Sequence, residues 1–99
     1  MAVHHLTVTI TTTGVAQPLS TTNNPSINCR EIQIQNPAAN ANVYVGGSTV
    51  TTTDYGKVLV ATATVPDSLT LRDGGNNINL ASTYIVGTAT QNVNVLYVQ

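Results

Sequence analysis

The chain has 99 residues and a formal net charge of −1, and only 7% of its residues are charged. Arg30, Lys57 and Arg72 are its whole stock of Lys and Arg, too few to neutralise a run of phosphates or to hold an anionic lipid surface, which argues against nucleic acid and membrane as partners. One domain, residues 1–99, accounts for the length, and a charged fraction far below the roughly 25% of an average soluble domain leaves Thr, Asn, Gln and Ser to build the surface.

Leu6, Val8 and Ile10 alternate with Thr7, Thr9 and Thr11. Period-two alternation of β-branched residues predicts a half-buried strand, ended by Gly14. Residues 15–28 hold Pro18, Pro25 and a Ser-Thr-Thr-Asn-Asn cluster and read as a long loop, with Val15, Leu19 and Ile27 as its points of contact with the core. Ile32 and Ile34 alternate with Gln33 and Gln35; after Asn36-Pro37-Ala38-Ala39-Asn40, Val43 and Val45 flank Tyr44. These two runs read as a hairpin-like unit with one apolar face that needs a second sheet to cover it. Gly46-Gly47 predicts a tight turn into a return strand over 50–53.

Asp54-Tyr55-Gly56 is the next turn, and Lys57 to Val65 reads as a strand apolar on both faces. Pro66-Asp67 stops it. Ser68 to Arg72 follows with Leu69 and Leu71 inward, then a turn at Asp73-Gly74-Gly75-Asn76-Asn77, the alternating Ile78 and Leu80, and two last strands, Tyr84 to Val86 and Val93 to Val98. No long stretch carries a 3.6-residue apolar period, so helices should be absent or one turn long. About eight short antiparallel strands at roughly ten-residue spacing predict an all-β domain, a small β-sandwich or jelly-roll-like barrel.

Chemistry-bearing patterns are few. Neighbouring side chains on a strand point to opposite faces, so His4 and His5 diverge and make no metal pair. The Asp73–Asn77 turn lacks the acidic ligands of a calcium loop. The Gly46-Gly47 and Gly74-Gly75 pairs precede no helix that could cradle a phosphate. Glu31, Asp54, Asp67 and Asp73 are the only carboxylates, and no pairing of them for acid–base work is visible. Cys29 is the single cysteine and reads as a small buried hydrophobe. The expectation is therefore a protein without catalytic residues, cofactor or metal. The start, Met-Ala-Val-His-His, shows no basic segment followed by an apolar one, so a cytoplasmic site of synthesis without a secretory leader is expected.

Tyr44 should face away from the core that Val43 and Val45 enter, and Tyr55 sits in a turn. Outward aromatics suit interfaces because they bury much area and keep a polar tip. Strand edges are commonly guarded by Lys, and Lys57 is the only one.

The stretch IQIQNPAANANVYVGGSTVT, followed by DYGKVL, SLTLRD and NLASTYIVGTATQNVNVLYV, resembles small virion proteins of tailed bacteriophages, among them head decoration (cement) proteins. The matching residues are Asn42 to Thr51, Tyr55-Gly56 and Tyr84 to Val98; the likeness runs from Glu31 onward and leaves out the Leu6–Thr13 strand. The resemblance implies a capsid decoration protein on the outside of the virion, bound to the major capsid protein and to copies of itself, as a homotrimer. Contacts are then expected at Val3, His4 and His5, in the loop holding Leu19 to Pro25, and at Tyr44 and Tyr55. The alternative is a tail, fibre or collar component, or a carbohydrate-binding module displayed on the virion, with Tyr, Asn and Asp in loops meeting sugars.

Overall fold

A computed structural model describes residues 2–21, 25–37, 40–61 and 65–99. Ten strands lie among them: β1 (Val3–Thr9), β2 (Gln17–Pro18), β3 (Asn28–Cys29), β4 (Glu31–Asn36), β5 (Val43–Gly46), β6 (Lys57–Leu59), β7 (Asp67–Arg72), β8 (Ile78–Asn79), β9 (Tyr84–Val86) and β10 (Asn92–Val98). The helical content among the described residues is one 3-10 turn, Leu80–Ser82, started by the Asn79 side chain, which accepts from Ala81 N. The domain is all-β, and every ladder is antiparallel.

The pairings nest. Strand β1 pairs with β10, β2 with β9, β3 with β8, β4 with β7 and β5 with β6. The chain is thus one long antiparallel ribbon, doubled at the β5–β6 connection. Rolling the ribbon brings β4 beside β10 and β5 beside β9. Two four-stranded sheets result, ordered β1-β10-β4-β7 and β2-β9-β5-β6, with β3-β8 as a small third sheet. This is the connectivity of a double-sheet jelly roll.

Alternation explains the core between the sheets. From the first sheet come Leu6, Val8, Ile32, Ile34, Leu69, Leu71, Val93, Val95 and Tyr97; from the second, Val43, Val45, Leu59 and Ile85. Ile32 and Ile34 are wholly buried, and burying a side chain of that size contributes roughly 1.5–3 kcal/mol. The outward partners in β4, Gln33 and Gln35, stay exposed. Leu19 and Cys29 are also wholly enclosed, and Ile27 packs against the cluster from outside.

Four expectations need correction. First, β4 and β5 do not form a hairpin-like unit, because they belong to opposite sheets. Alternation tells which face of a strand is apolar but not whether its neighbour covers that face or lies beside it. Asn36 helps to settle the matter. Its side chain is buried, and Nδ2 donates to Ala41 O at 3.0 Å and Leu59 O at 2.9 Å, tying the end of β4 to the second sheet.

Second, Gly46-Gly47 does not turn the chain into a strand over 50–53. The return strand is β6, reached through a loop that Thr51 organises: Asp54 N donates to Thr51 Oγ1 and Thr51 N to Asp54 O. Gly46 is small because Val50 folds over it; a Cβ there would lie 3.1 Å from the Val50 side chain. Third, the strand expected over Lys57 to Val65 is β6 alone, three residues long. Val60 leaves the ladder, its N–H taken by the Asp67 carboxylate at 3.0 Å, and Val65 is exposed. Thr62, Ala63 and Thr64 lie outside the described residues. Fourth, Val15 is exposed and not a core contact. It follows Gly14, whose N–H meets Gly87 O and whose positive φ of 77° swings the chain outward.

Candidate interaction surface

The expected contact residues fall into three places. Val3, His4 and His5 open β1, the outer strand of the first sheet, and all three are exposed. Tyr44 and Tyr55 meet on the outside of the second sheet. Leu19 is enclosed, so it serves the core and offers no side chain to a partner. Thr22, Asn23 and Asn24, of the loop from Leu19 to Pro25, lie outside the described residues.

The ladder registers show how β1 is used. His4 lies opposite Tyr97 and His5 opposite Leu96. The two imidazoles therefore point to opposite faces. His4 stacks on Tyr97 with ring centroids 5.0 Å apart and planes inclined by 21°, covering the end of the core. His5 joins the outer face. Removing residues 1–5 would therefore strip three residues from the β1–β10 ladder and uncover Tyr97. Point substitutions on the outer face and edge are the cleaner probes.

That outer face is a four-strand platform. One row runs Thr7, Asn94, Gln35, Ser68 and the next His5, Leu96, Gln33, Thr70. The amides and hydroxyls bond among themselves: Asn94 Nδ2 donates to Gln35 Oε1 at 3.2 Å, Thr9 Oγ1 to Asn92 Oδ1 at 2.7 Å, and Gln33 Nε2 to Glu31 Oε2 at 3.1 Å. The ion pair of the platform is at its rim, where Arg72 Nε meets Glu31 Oε1 at 2.9 Å. Between the rows lies a shallow depression bordered by His5, Thr7, Gln33, Gln35, Asn94 and Leu96. Such a face can dock against another polar surface without leaving unpaired charge buried.

The second sheet presents a different outside. Tyr44 lies between Val58 and Val86 in the ladders and packs its ring edge-on against Tyr55, with centroids 4.9 Å apart at 61°. Tyr44 is half-buried, so part of its ring covers its own sheet. Beside it lies a groove of about 470 Å³ bordered by Gly14, Asn42, Tyr44, Thr52, Gly87 and Thr88, a volume within the range of small-molecule sites.

Groups with reactive potential are dispersed. Among the described residues no three His, Cys, Asp or Glu side chains gather where a metal ion could be held. Cys29 is buried, burial pushes its thiol up from its ordinary value, and its Sγ–H points at Ile78 O at 3.3 Å. That environment suits packing and not nucleophilic attack. No helix among the described residues is long and apolar enough to cross a membrane.

Sequence reasoning missed two residues that shape this surface. Asn36 looked like turn punctuation and is an inter-sheet tie. Gln17 looked like loop filler; its carboxamide closes one end of the β1 edge, donating to Thr9 O at 3.1 Å and accepting from Thr11 N at 2.9 Å. Neither carries a local signal, since each acts on backbone distant in the ladder order. Family models, characterised protein sequences and solved structures offer no match to this chain.

Proposed function

We propose that the protein is a non-enzymatic structural component of a tailed-phage virion: a decoration or cement protein, made in the host cytoplasm, that seats on the outside of the head and bridges major capsid subunits and neighbouring copies of itself. The observation that carries this reading is the platform of the first sheet, four strands wide, built from amides and hydroxyls, with its ion pair kept to the rim. In a lattice many copies crowd together, and a nearly uncharged face avoids accumulated like-charge repulsion while keeping hydrogen-bonding capacity. Jelly rolls serve in viral capsids and in lectins alike, so the architecture fits this role without selecting it.

The carbohydrate-module alternative keeps one specific support, the Tyr44–Tyr55 pair beside a groove with Asn42, Thr52 and Thr88. One experiment separates the readings. Purified particles are imaged and their protein stoichiometry measured by mass spectrometry. A decoration protein will be found on the head surface in numbers proportional to the major capsid protein, and His5→Glu together with Gln33→Glu on the platform will lower its occupancy. Absence from heads, combined with saturable glycan binding that Tyr55→Ala abolishes, overturns the decoration reading in favour of the carbohydrate module.

A further inference from the structure

The four sheet edges of the sandwich are not equivalent. Strand β2 is two residues long and includes Pro18, which has no N–H to offer. Strand β6 is three residues long and begins at the exposed Lys57. Strand β7 ends at the exposed Arg72, and the Asp67 carboxylate takes both Ser68 N and Val60 N beside it. Short strands, proline and charge are the usual ways to blunt an edge. Strand β1 has none of them. It is seven residues long, holds no Lys, Arg, Asp, Glu or Pro, and is exposed at Val3, His4, His5, Thr7 and Thr9.

The ladder says which backbone groups this edge presents. Ala2 and Gln99 exchange both their hydrogen bonds, and Ile10 N donates to Gln91 O. In an antiparallel pair the direction of the backbone groups alternates residue by residue. His4, Leu6 and Val8 therefore bond to β10, while Val3, His5, Thr7 and Thr9 turn their N–H and C=O outward. Gln17 occupies the far end of this outward row, its carboxamide donating to Thr9 O and accepting from Thr11 N and so supplying both bonds that a neighbouring strand would make there with two separate peptide groups. The edge already binds one amide; from Val3 to Thr7 it is open among the described residues.

We infer that a second copy of this chain fills that opening, β1 pairing antiparallel with β1 about a two-fold axis at His5. This register sets Val3 against Thr7 of the second copy, His5 against His5 of the second copy, and Thr7 against Val3 of the second copy, each pair exchanging two backbone bonds. Sliding the axis toward Val3 loses a pair, and sliding it toward Thr9 displaces Gln17. Side chains agree with the register. Val3 and Thr7 are β-branched cross-strand partners on the outer face, His4 meets Leu6 of the second copy on the core side, and no like charges oppose while the imidazoles are neutral. The second copy is favoured over a foreign strand because the pairing is isologous. It uses both bare edges at once and leaves none to propagate, so association stops at two. The two platforms then join into one continuous outer face, twice as wide. The inference holds for the isolated protein, does not depend on a virion, and sets a dimer in place of the homotrimer that the resemblance to virion proteins implies.

Sedimentation velocity of the purified full-length chain over a wide concentration range tests it. The expected result is a monomer–dimer equilibrium. Thr7→Pro, which removes an outward N–H that no bond among the described residues uses, raises the dissociation constant at least tenfold with an unchanged circular-dichroism spectrum. His5→Lys, which sets like charges opposite each other on the axis, does the same, whereas Thr70→Lys on the β7 edge has no effect. Hydrogen exchange supplies an independent reading should Thr7→Pro fold poorly: the amides of Val3, His5 and Thr7 lose protection on dilution while those of His4, Leu6 and Val8 keep it. A chain that stays monomeric at every concentration, a trimer, or a dimer indifferent to His5→Lys overturns the inference.

Discussion

The two sheets of this sandwich solve the same problem in different ways. The first is built from strands of seven, seven, six and six residues, and its outer face is a network of amides and hydroxyls. The second is built from strands of two, three, four and three residues, linked by glycine-containing loops and covered outside by Tyr44 and Tyr55. Long strands hold one another through their own ladders. Short strands have few ladder bonds and depend on what packs against them, on side-chain ties such as Asn36 and Asn42, and on loop bonds such as Gly56 N to Val45 O. The same difference separates the edges: a strand of two or three residues is too short to recruit a partner, and of the two long outer strands β7 is blunted by Asp67 and Arg72 while β1 carries no such guard. The proposed assembly therefore uses the first sheet, and the second closes the core.

If the short sheet is held by packing, cavities in it should cost as much as cavities in the long one. Leu59 in β6 and Ile34 in β4 are both wholly buried. Leu59→Ala and Ile34→Ala should each destabilise by about 2–5 kcal/mol, read as a shift in the urea midpoint. A cost for Leu59→Ala well under ~1 kcal/mol would mean that the second sheet is peripheral to the cooperative unit.

A smaller loss is expected at the tie between the sheets. Asn36→Ala leaves the carbonyls of Ala41 and Leu59 without their donor, at a cost of about 1–3 kcal/mol. The signature that distinguishes a tie from ordinary packing is regional. Amides of β5 and β6 should exchange faster in the variant, while those of the β1–β10 ladder keep their protection. Equal loosening of both sheets would refute the role given to Asn36.

The smallest effect has the opposite sign. Thr90, in the turn between β9 and β10, has φ of 72°, a left-handed conformation that a β-branched residue adopts only under constraint. The constraint is visible: Thr90 N donates to Ile10 O at 2.8 Å, where the second sheet hands the chain back to the first. Thr90→Gly should relieve about 1 kcal/mol of strain and raise the thermal midpoint. A lower midpoint would show that the Thr90 side chain contributes more than its backbone costs.

Much of this architecture was legible in the residue pattern. Alternation at Leu6–Ile10, Ile32–Gln35 and Leu69–Leu71 marks three of the four long strands and the side of each that faces the core, and the fourth, Val93 to Val98, reads as a strand without an assigned face. The inward Val43 and Val45, the outward Tyr44 and the divergence of His4 from His5 follow from the same period of two, and the burial of Cys29 from the usual behaviour of a lone cysteine. The short strands were harder. Nothing local distinguishes Gln17-Pro18 or Asn28-Cys29 from loop, because a two-residue strand exists only through its partner. The end of β6 was also invisible, since Val60 leaves the ladder for a carboxylate on β7. The candidate surface divided likewise. Alternation puts Tyr44 outside and turn composition does so for Tyr55, whereas Val3 and His5 are expected outside only as contact residues. Leu19 carries two readings, of which the core contact holds and the partner contact has no exposed side chain to offer.

Composition and periodicity by themselves determined an all-β domain with apolar inner faces and an almost ion-free exterior, because burial needs only the alternation that the chain carries. Which strands became neighbours was decided in three dimensions. The ribbon doubled at β5–β6 and rolled, sending β4 and β5 to opposite sheets and leaving β1 on the outside. Pairing of that kind depends on residues as far apart as Val3 and Val98 meeting, and no window along the chain contains both.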